Sequence, residues 1–261
     1  MRAAPFDVVC ERLNDAEVTE NTVTAAVSLY NYAQFLPETL DSIWAQRHAG
    51  LDLIVVDDAS TEESSVRVAR EWLGARAGRF GRASLLRHKR NQGLAEARNT
   101  AFEHARSDLV FVIDADDLIY PRAIGRLVQA IRETGSGAAY SQLEFFGSEQ
   151  QLGDADVFNK EWLKLENYID ATALVSKEAW QAVGGYTHIE GGWEDYDFWL
   201  KFVEHGISAA YVPEILCRYR QHPKSMMKTE TDATRETKRA ILIQMLLRHP
   251  WLELNWPELR A

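Results

Sequence analysis

Leu109-Val110-Phe111-Val112-Ile113-Asp114-Ala115-Asp116-Asp117 runs five apolar residues straight into three carboxylates. A continuous apolar run of this length predicts a strand buried on both faces, and the acidic residues then mark its carboxyl end. The same arrangement stands upstream, where residues 53–56 end in Asp57-Asp58-Ala59-Ser60. Around these two stretches the chain alternates. Residues 23–29 form another β-prone run, after which Leu36, Leu40, Ile43 and Trp44 recur at helical spacing with Pro37 at the helix entrance. Val66, Ala69, Trp72 and Leu73 stripe the next helix, Leu85-Leu86 suggests a third strand, and Leu94, Ala97, Ala101, Phe102 and Ala105 stripe the helix after it. The pattern predicts an α/β fold with a Rossmann-like, mostly parallel central sheet flanked by helices, whose ligand site opens where the strands end. Asp57, Asp58, Asp114 and Asp116 then gather at one edge.

The second half is less regular. A helix is expected from Pro121 to Glu133, ended by Gly135 and Gly137, and strands near 138–146, 171–176 and 208–212. Further helices are expected over 196–204 and 235–247; the last places Ile241, Leu242, Met245 and Leu246 on one face, as packed core or as a dimer contact.

A formal net charge of -10 argues against nucleic acid as a main partner, because such binding relies on Lys and Arg neutralising phosphates. The basic string Arg76, Arg79, Arg82, Arg87, Lys89 and Arg90 is the local exception; it reads as a solvated loop, or as a face for a diphosphate or an anionic lipid surface. Cys10 and Cys217 stand far apart without His at metal-binding spacing, so neither a disulfide framework nor a structural zinc site is expected. The first residues carry Asp7, Glu11, Asp15 and Glu17 and do not read as a signal peptide, and the apolar stretch 240–247 is too short to span a bilayer. A cytoplasmic protein meeting the inner membrane face at most peripherally is the expectation.

Four constellations carry chemistry. Alternate carboxylates in Asp114-Ala115-Asp116-Asp117 can reach one hard cation that also takes diphosphate oxygens, although acidic residues favour such turns anyway. Asp58 can accept hydrogen bonds from a base or ribose, while Ser60 reads as a helix cap. At that solvent-open strand end, loss of Asp58 is expected to weaken nucleotide binding and leave the fold intact. Trp193-Glu194-Asp195-Tyr196-Asp197 follows Gly191-Gly192 and offers a carboxylate base and a flat ring for a sugar, or simply favourable charges in a first helical turn. Arg218-Tyr219-Arg220-Gln221-His222-Pro223-Lys224-Ser225 supplies cations for phosphate oxygens and a His that can ligate a metal.

Val27-Ser28-Leu29-Tyr30-Asn31, Val55-Val56-Asp57-Asp58-Ala59-Ser60, Asn91-Gln92-Gly93-Leu94-Ala95-Glu96-Ala97-Arg98-Asn99, Asp114-Ala115-Asp116-Asp117 and Glu194-Asp195 follow one another in this order. Together they resemble the inverting family 2 glycosyltransferases of GT-A fold, across residues 23–225. The resemblance implies a nucleotide-binding half at 23–120 and an acceptor-binding half at 121–225, between an N-terminal extension, 1–22, and a C-terminal helical extension, 226–261. It implies that Ser28, Tyr30 and Asp58 line the nucleotide pocket with Arg98 near it, and that Asp114 contacts the donor's ribose or sugar. Asp116 would bind Mn²⁺ or Mg²⁺, with His222 a further metal or diphosphate contact. Asp195 would be the base, beside Trp193 and Glu194 on the acceptor side. The implied reaction, of the kind used in polysaccharide biosynthesis, moves a sugar from a nucleoside-diphosphate donor, UDP-linked by family habit, to a hydroxyl of a saccharide or other acceptor. Competing readings are a sugar-nucleotide-forming nucleotidyltransferase, disfavoured because no glycine-rich basic loop follows the first strand, and a catalytically silent nucleotide-sugar-binding module.

Overall fold

The computed structural model describes residues 4–14, 17–231 and 233–259, so Asp15 lies outside the described residues. Along the chain come β1 (Phe6–Leu13), β2 (Val23–Leu29), α1 (Leu36–Trp44), β3 (Leu51–Asp57), α2 (Glu63–Arg76), β4 (Arg82–His88), α3 (Leu94–His104) and β5 (Leu109–Asp114). Then follow β6 (Leu118–Ile119), α4 (Ala123–Thr134), β7 (Ala138–Gly147), β8 (Gln151–Leu152), α5 (Lys160–Leu163), β9 (Ala173–Ser176), α6 (Lys177–Ala182), α7 (Glu194–Glu204), β10 (Ala209–Gln221) and α8 (Arg235–Arg248).

The strands form one sheet in the order β1-β4-β3-β2-β5-β9-β7-β10-β6, with β8 beside β7. Its centre, β4-β3-β2-β5, is parallel. Every residue of β2 and β3 is buried, because helices cover both faces. Alternate side chains feed two cores: Val23, Ala25, Val27 and Leu29 join Leu53, Val55, Phe111 and Ile113 under α1, α2 and α4. On the other face Ala26, Ile54, Val56, Val110 and Val112 pack with α3, α6, α7 and α8. Ile241, Leu242 and Met245 of α8 are buried there, so the face foreseen as core or dimer contact is core.

The chain winds outward from β2 through β3 to β4 and then returns to place β5 on β2's other side. That reversal opens a crevice at the carboxyl ends of the two central strands. Ser28 and Asp114 are register partners at its lip.

Three segments depart from the sequence reading. Phe6–Leu13, assigned to an extension, pairs antiparallel with β4 as an edge strand of the same sheet. The short strand expected at 208–212 continues to Gln221: register shifts between Val212 and Cys217 carry it past Pro213, which has no N–H to give a ladder. Three arginines of the basic string serve as ties, while Lys89 and Arg90 at its end are exposed. Arg79 donates to the Gln46, His48 and Ala49 carbonyls, Arg82 to Glu11, and Arg87 pairs with Asp57. Cys10 and Cys217 are both free. Among the described residues no helix is long and apolar enough to cross a membrane.

Candidate active site

A cavity of about 720 Å³ opens at the crevice, and Ser28, Tyr30, Asp58, Arg98, Asp114, Asp116, Trp193, Glu194 and Asp195 all line it. Residues from five widely separated motifs thus meet because the parallel strands end on one edge and α7 begins beside them.

The loops after β2 and β3 interlock first. Asn31 and Ala59 hold positive φ (60° and 55°), Ser60 Oγ accepts from the Asn31 N–H, and Asn31 Oδ1 accepts from the Glu62 N–H. Ser60 Oγ therefore ties two loops together instead of capping α2, whose first residues follow Glu62. Asp58 is only 4% exposed. Its Oδ1 accepts from the Gln92 N–H at 2.8 Å and from His88 Nδ1–H at 2.6 Å, and its Oδ2 from the Gly93 N–H at 2.7 Å. His88 Nε2 in turn lies 2.9 Å from the Thr100 hydroxyl oxygen, within hydrogen-bond reach. The expectation of a solvent-open Asp58 is therefore corrected: this carboxylate is buried and bonded to the loop before α3. Gly93 is required there by its φ of 90° and because a Cβ would stand 2.9 Å from His188 Nδ1.

Arg98, on α3, is buried beneath the cavity between two carboxylates. One Nη2 reaches both Asp114 oxygens at 3.1 and 3.2 Å, Nη1 reaches Glu194 at 3.3 Å, and the guanidinium lies over the Tyr186 ring. It couples the strand-end aspartate to the start of α7. Burial raises the Glu194 pKa, and Arg98 opposes that rise. Asn99, the next residue of the motif, bonds Tyr186 from both ends of its amide.

In the acidic turn, Asp116 Oδ2 lies 2.9 Å from His222 Nε2, so the two residues named from the sequence for a metal are in contact. His222 stands just behind the wall against the Tyr32 and Phe35 rings. Burial and then Asp114 raise the Asp116 pKa to about 6, against the pull of His222. Asp117 faces inward and accepts from the Arg220 N–H, which clamps the end of β10 to this turn; burial and Asp116 push its pKa well up. Arg220 also donates to the Asp116 carbonyl and to Glu38, and Arg218 pairs with Glu144. Of the cations of that segment it is Lys224 that lines the cavity, beside Tyr219 and Ser225.

α7 starts on Trp193, held at φ 72° after Gly191 and Gly192. Asp195 Oδ1 accepts from the Tyr196 N–H at 2.7 Å. Burial, then Glu194 and Asp170, raise its pKa to about 7, with Arg98 opposing. A carboxyl group poised there can exchange protons near neutrality.

Sequence reasoning missed Asp170, Asn167 and the turn over Met227–Thr231, all of which contribute to the wall. Asp170 precedes a strand instead of following one, and it reaches the cavity only because β9 runs antiparallel to β5. Burial raises its pKa, while Thr172 holds it down. The Met227–Thr231 turn is fastened by Thr231 Oγ1 donating to the Gly191 carbonyl, and a Cβ on Gly192 would meet that hydroxyl at 2.7 Å.

Residues 24–178 match the family described as Glycosyl transferase family 2. The glycosyltransferase GlyG of Streptococcus pneumoniae is 23% identical over 232 residues, spanning 80% of this chain and 74% of GlyG. S. aureus TarS residues 1–349, solved in complex with UDP-GlcNAc, superposes with a TM-score of 0.68 at 15% identity, covering 91% of this chain and 68% of that one. The mannosyltransferase PcManGT from Pyrobaculum calidifontis, solved in complex with GDP-Man and Mn²⁺, superposes with a TM-score of 0.66 at 21% identity, covering 98% and 70%. These two structures share the fold.

Proposed function

The chain belongs to glycosyl transferase family 2, and from that premise we propose that it moves a sugar from a nucleoside-diphosphate donor to an acceptor hydroxyl by single displacement. The observation that carries this reading is the placing of the Asp195 carboxyl, poised near neutrality, on the same cavity as the Asp114–Asp116 turn. The nucleotide lies against Ser28, Tyr30 and the Asp58 loop, with the donor's ribose or sugar at Asp114. Trp193 and Glu194 face the acceptor. UDP is the nucleotide we assign, on the family resemblance of the strand-end motifs.

Mn²⁺ or Mg²⁺ fits the donor set present. Asp116 and His222 offer a hard oxygen and an imidazole nitrogen at one point. Among the described residues no group of three or more His, Cys, Asp and Glu is gathered to hold an ion by itself, which suits a cation completed by substrate phosphates. His222 Nδ1 accepts from the Lys224 N–H, so Nε2 carries the ring proton toward Asp116. Asp116 and His222 Nε2 would hold the ion in place of that contact. When bound, the ion supplies positive charge at the departing diphosphate.

Asp195 takes the acceptor's hydroxyl proton as the oxygen bonds to the anomeric carbon. The bond from that carbon to the diphosphate breaks, and its electron pair leaves on the diphosphate oxygen, with Lys224 on the wall as a neutralising cation. Attack opposite the leaving group inverts the anomeric centre.

UDP-glucose, UDP-GlcNAc and GDP-mannose, each with Mn²⁺, are screened by thermal stabilisation, and the best is used in transfer assays. Nucleoside diphosphate, not pyrophosphate, is the expected product, and NMR of the glycoside is expected to show inversion. A retained configuration refutes single displacement. Asp195→Asn is expected to lower the rate by about 10²–10⁴-fold with donor affinity unchanged.

A further inference from the structure

Asp195 is held unevenly. Its Oδ1 receives the Tyr196 N–H and, at 3.4 Å, the side-chain Nδ2–H of Asn167, whereas no protein group among the described residues bonds to Oδ2. Only the NH₂ end of an amide can face a carboxylate favourably, so Asp195 fixes which way the Asn167 side chain is turned. The consequence falls on the other end of that amide: Asn167 Oδ1 is buried without a hydrogen-bond partner. An orphaned buried carbonyl is costly, and a residue kept for stability alone would be expected to have both ends paired or to be apolar.

The loop that carries Asn167 is fastened along its length. The Tyr196 hydroxyl donates to the Leu163 carbonyl, Trp256 Nε1 to Leu165 at 3.3 Å, and Trp199 Nε1 to Asp170 at 3.3 Å. Three aromatic donors thus hold the backbone on both sides of Asn167 and present its amide to the base. Such rigidity is what positioning a reacting group within a fraction of an ångström demands.

We infer that Asn167 is a positioning residue for the base: its amide clamps Asp195 Oδ1 and leaves Oδ2 as the oxygen that takes the acceptor's proton. This rests on Asp195 being the base. The charged and titratable groups facing Asp195 are Glu194 beside it on α7, Asp170 on the Asn167 loop, Arg98 from α3, and Tyr186 from the segment before α7. Asn167 donates to the charged form of Asp195, so its loss moves the carboxyl's titration upward.

The test uses the full chain with the stabilising nucleotide sugar and water as acceptor, following nucleoside diphosphate release from pH 5 to 9. Asn167→Ala is expected to lower kcat about tenfold, equivalent to about 1.4 kcal/mol of barrier. Its acidic limb should move up by about half a pH unit, a shift smaller than a full charge-assisted bond gives because the contact is long. Asn167→Asp, which sets a second carboxylate against the base, should move the limb further. Donor Kd by calorimetry and the melting temperature should be unchanged or, for Asn167→Ala, the melting temperature should rise, because the orphaned carbonyl is gone. A carboxyl-carbon NMR titration of Asp195 in each variant gives the same ordering without turnover. Wild-type kcat and limb in Asn167→Ala overturn the inference, as does a loss of activity that merely tracks a lower melting temperature. Asp195→Asn is run alongside: if it is fully active, the fault lies in the assignment of the base, and if it is inactive while Asn167→Ala is unaffected, only the role of Asn167 falls.

Discussion

Asp58→Ala tests whether the second strand-end aspartate is a structural tie. The substitution removes three hydrogen bonds at 2.6–2.8 Å, from the Gln92 and Gly93 N–H groups and from His88 Nδ1–H. Bonds to a charged group contribute about 1.5–3 kcal/mol each, but the three share one carboxylate and do not add. Gln92 and Gly93 are half-buried and regain water once the carboxylate is gone, so their share is mostly recovered. His88 is 2% exposed and cannot, which leaves a buried ring N–H unpaired. The net loss worked from these terms is about 2–4 kcal/mol. Urea unfolding measures it as a lower midpoint at unchanged slope. Asp58→Asn, which keeps one acceptor oxygen and turns an NH₂ toward a donor, should fall between wild type and Asp58→Ala. A loss below about 0.5 kcal/mol in Asp58→Ala, the size of an ordinary surface change, refutes the tie. Weakened donor binding with no loss of stability would restore a purely ligand-facing Asp58.

Asp116→Ala is expected to remove the dependence of donor binding on Mn²⁺, so that chelator and substitution do not add in calorimetry; an unchanged metal dependence moves the ligand elsewhere. The Asp195 pKa is raised by folding to about 7, so the native state holds a proton there that the unfolded chain has lost, and this group costs stability increasingly as pH rises from about 4 to 7. Asp195→Asn should accordingly gain stability over wild type at pH 8 and little at pH 4; an equal difference at both pH values counts against the buried, proton-holding carboxyl. His249 bridges Asp197 at 3.0 Å and Glu204 at 2.7 Å, fastening the end of α8 to α7, and its pKa is raised by those two partners against burial. Its stabilisation is full below the ordinary His value and is lost as pH rises through the raised one. His249→Phe should therefore destabilise more at pH 5.5 than at pH 9, and a penalty independent of pH would mean that the bridge carries no charge.

The sequence by itself determined the parallel centre of the sheet, because strands buried on both faces must be apolar throughout and the helices between them must carry one apolar stripe. It also brought the carboxylates at 57–58 and 114–117 to one edge, since they close two such strands. Tertiary structure decided which carboxylate is free to act. Asp58 and Asp117 look like Asp116 in the sequence, yet the first is taken up by the 92–93 amides and the second by Arg220, while Asp116 stays on the cavity wall with His222. The edge strand at Phe6–Leu13 alternates too weakly to be read, because one side of it faces solvent and its partner, β4, lies far along the chain. Asn167 and Asp170 carry no local signal at all. They reach Asp195 only because β9 reverses direction against β5 and three aromatic side chains hold the preceding loop, and pairing direction and long-range hydrogen bonds are not written in any short stretch of residues.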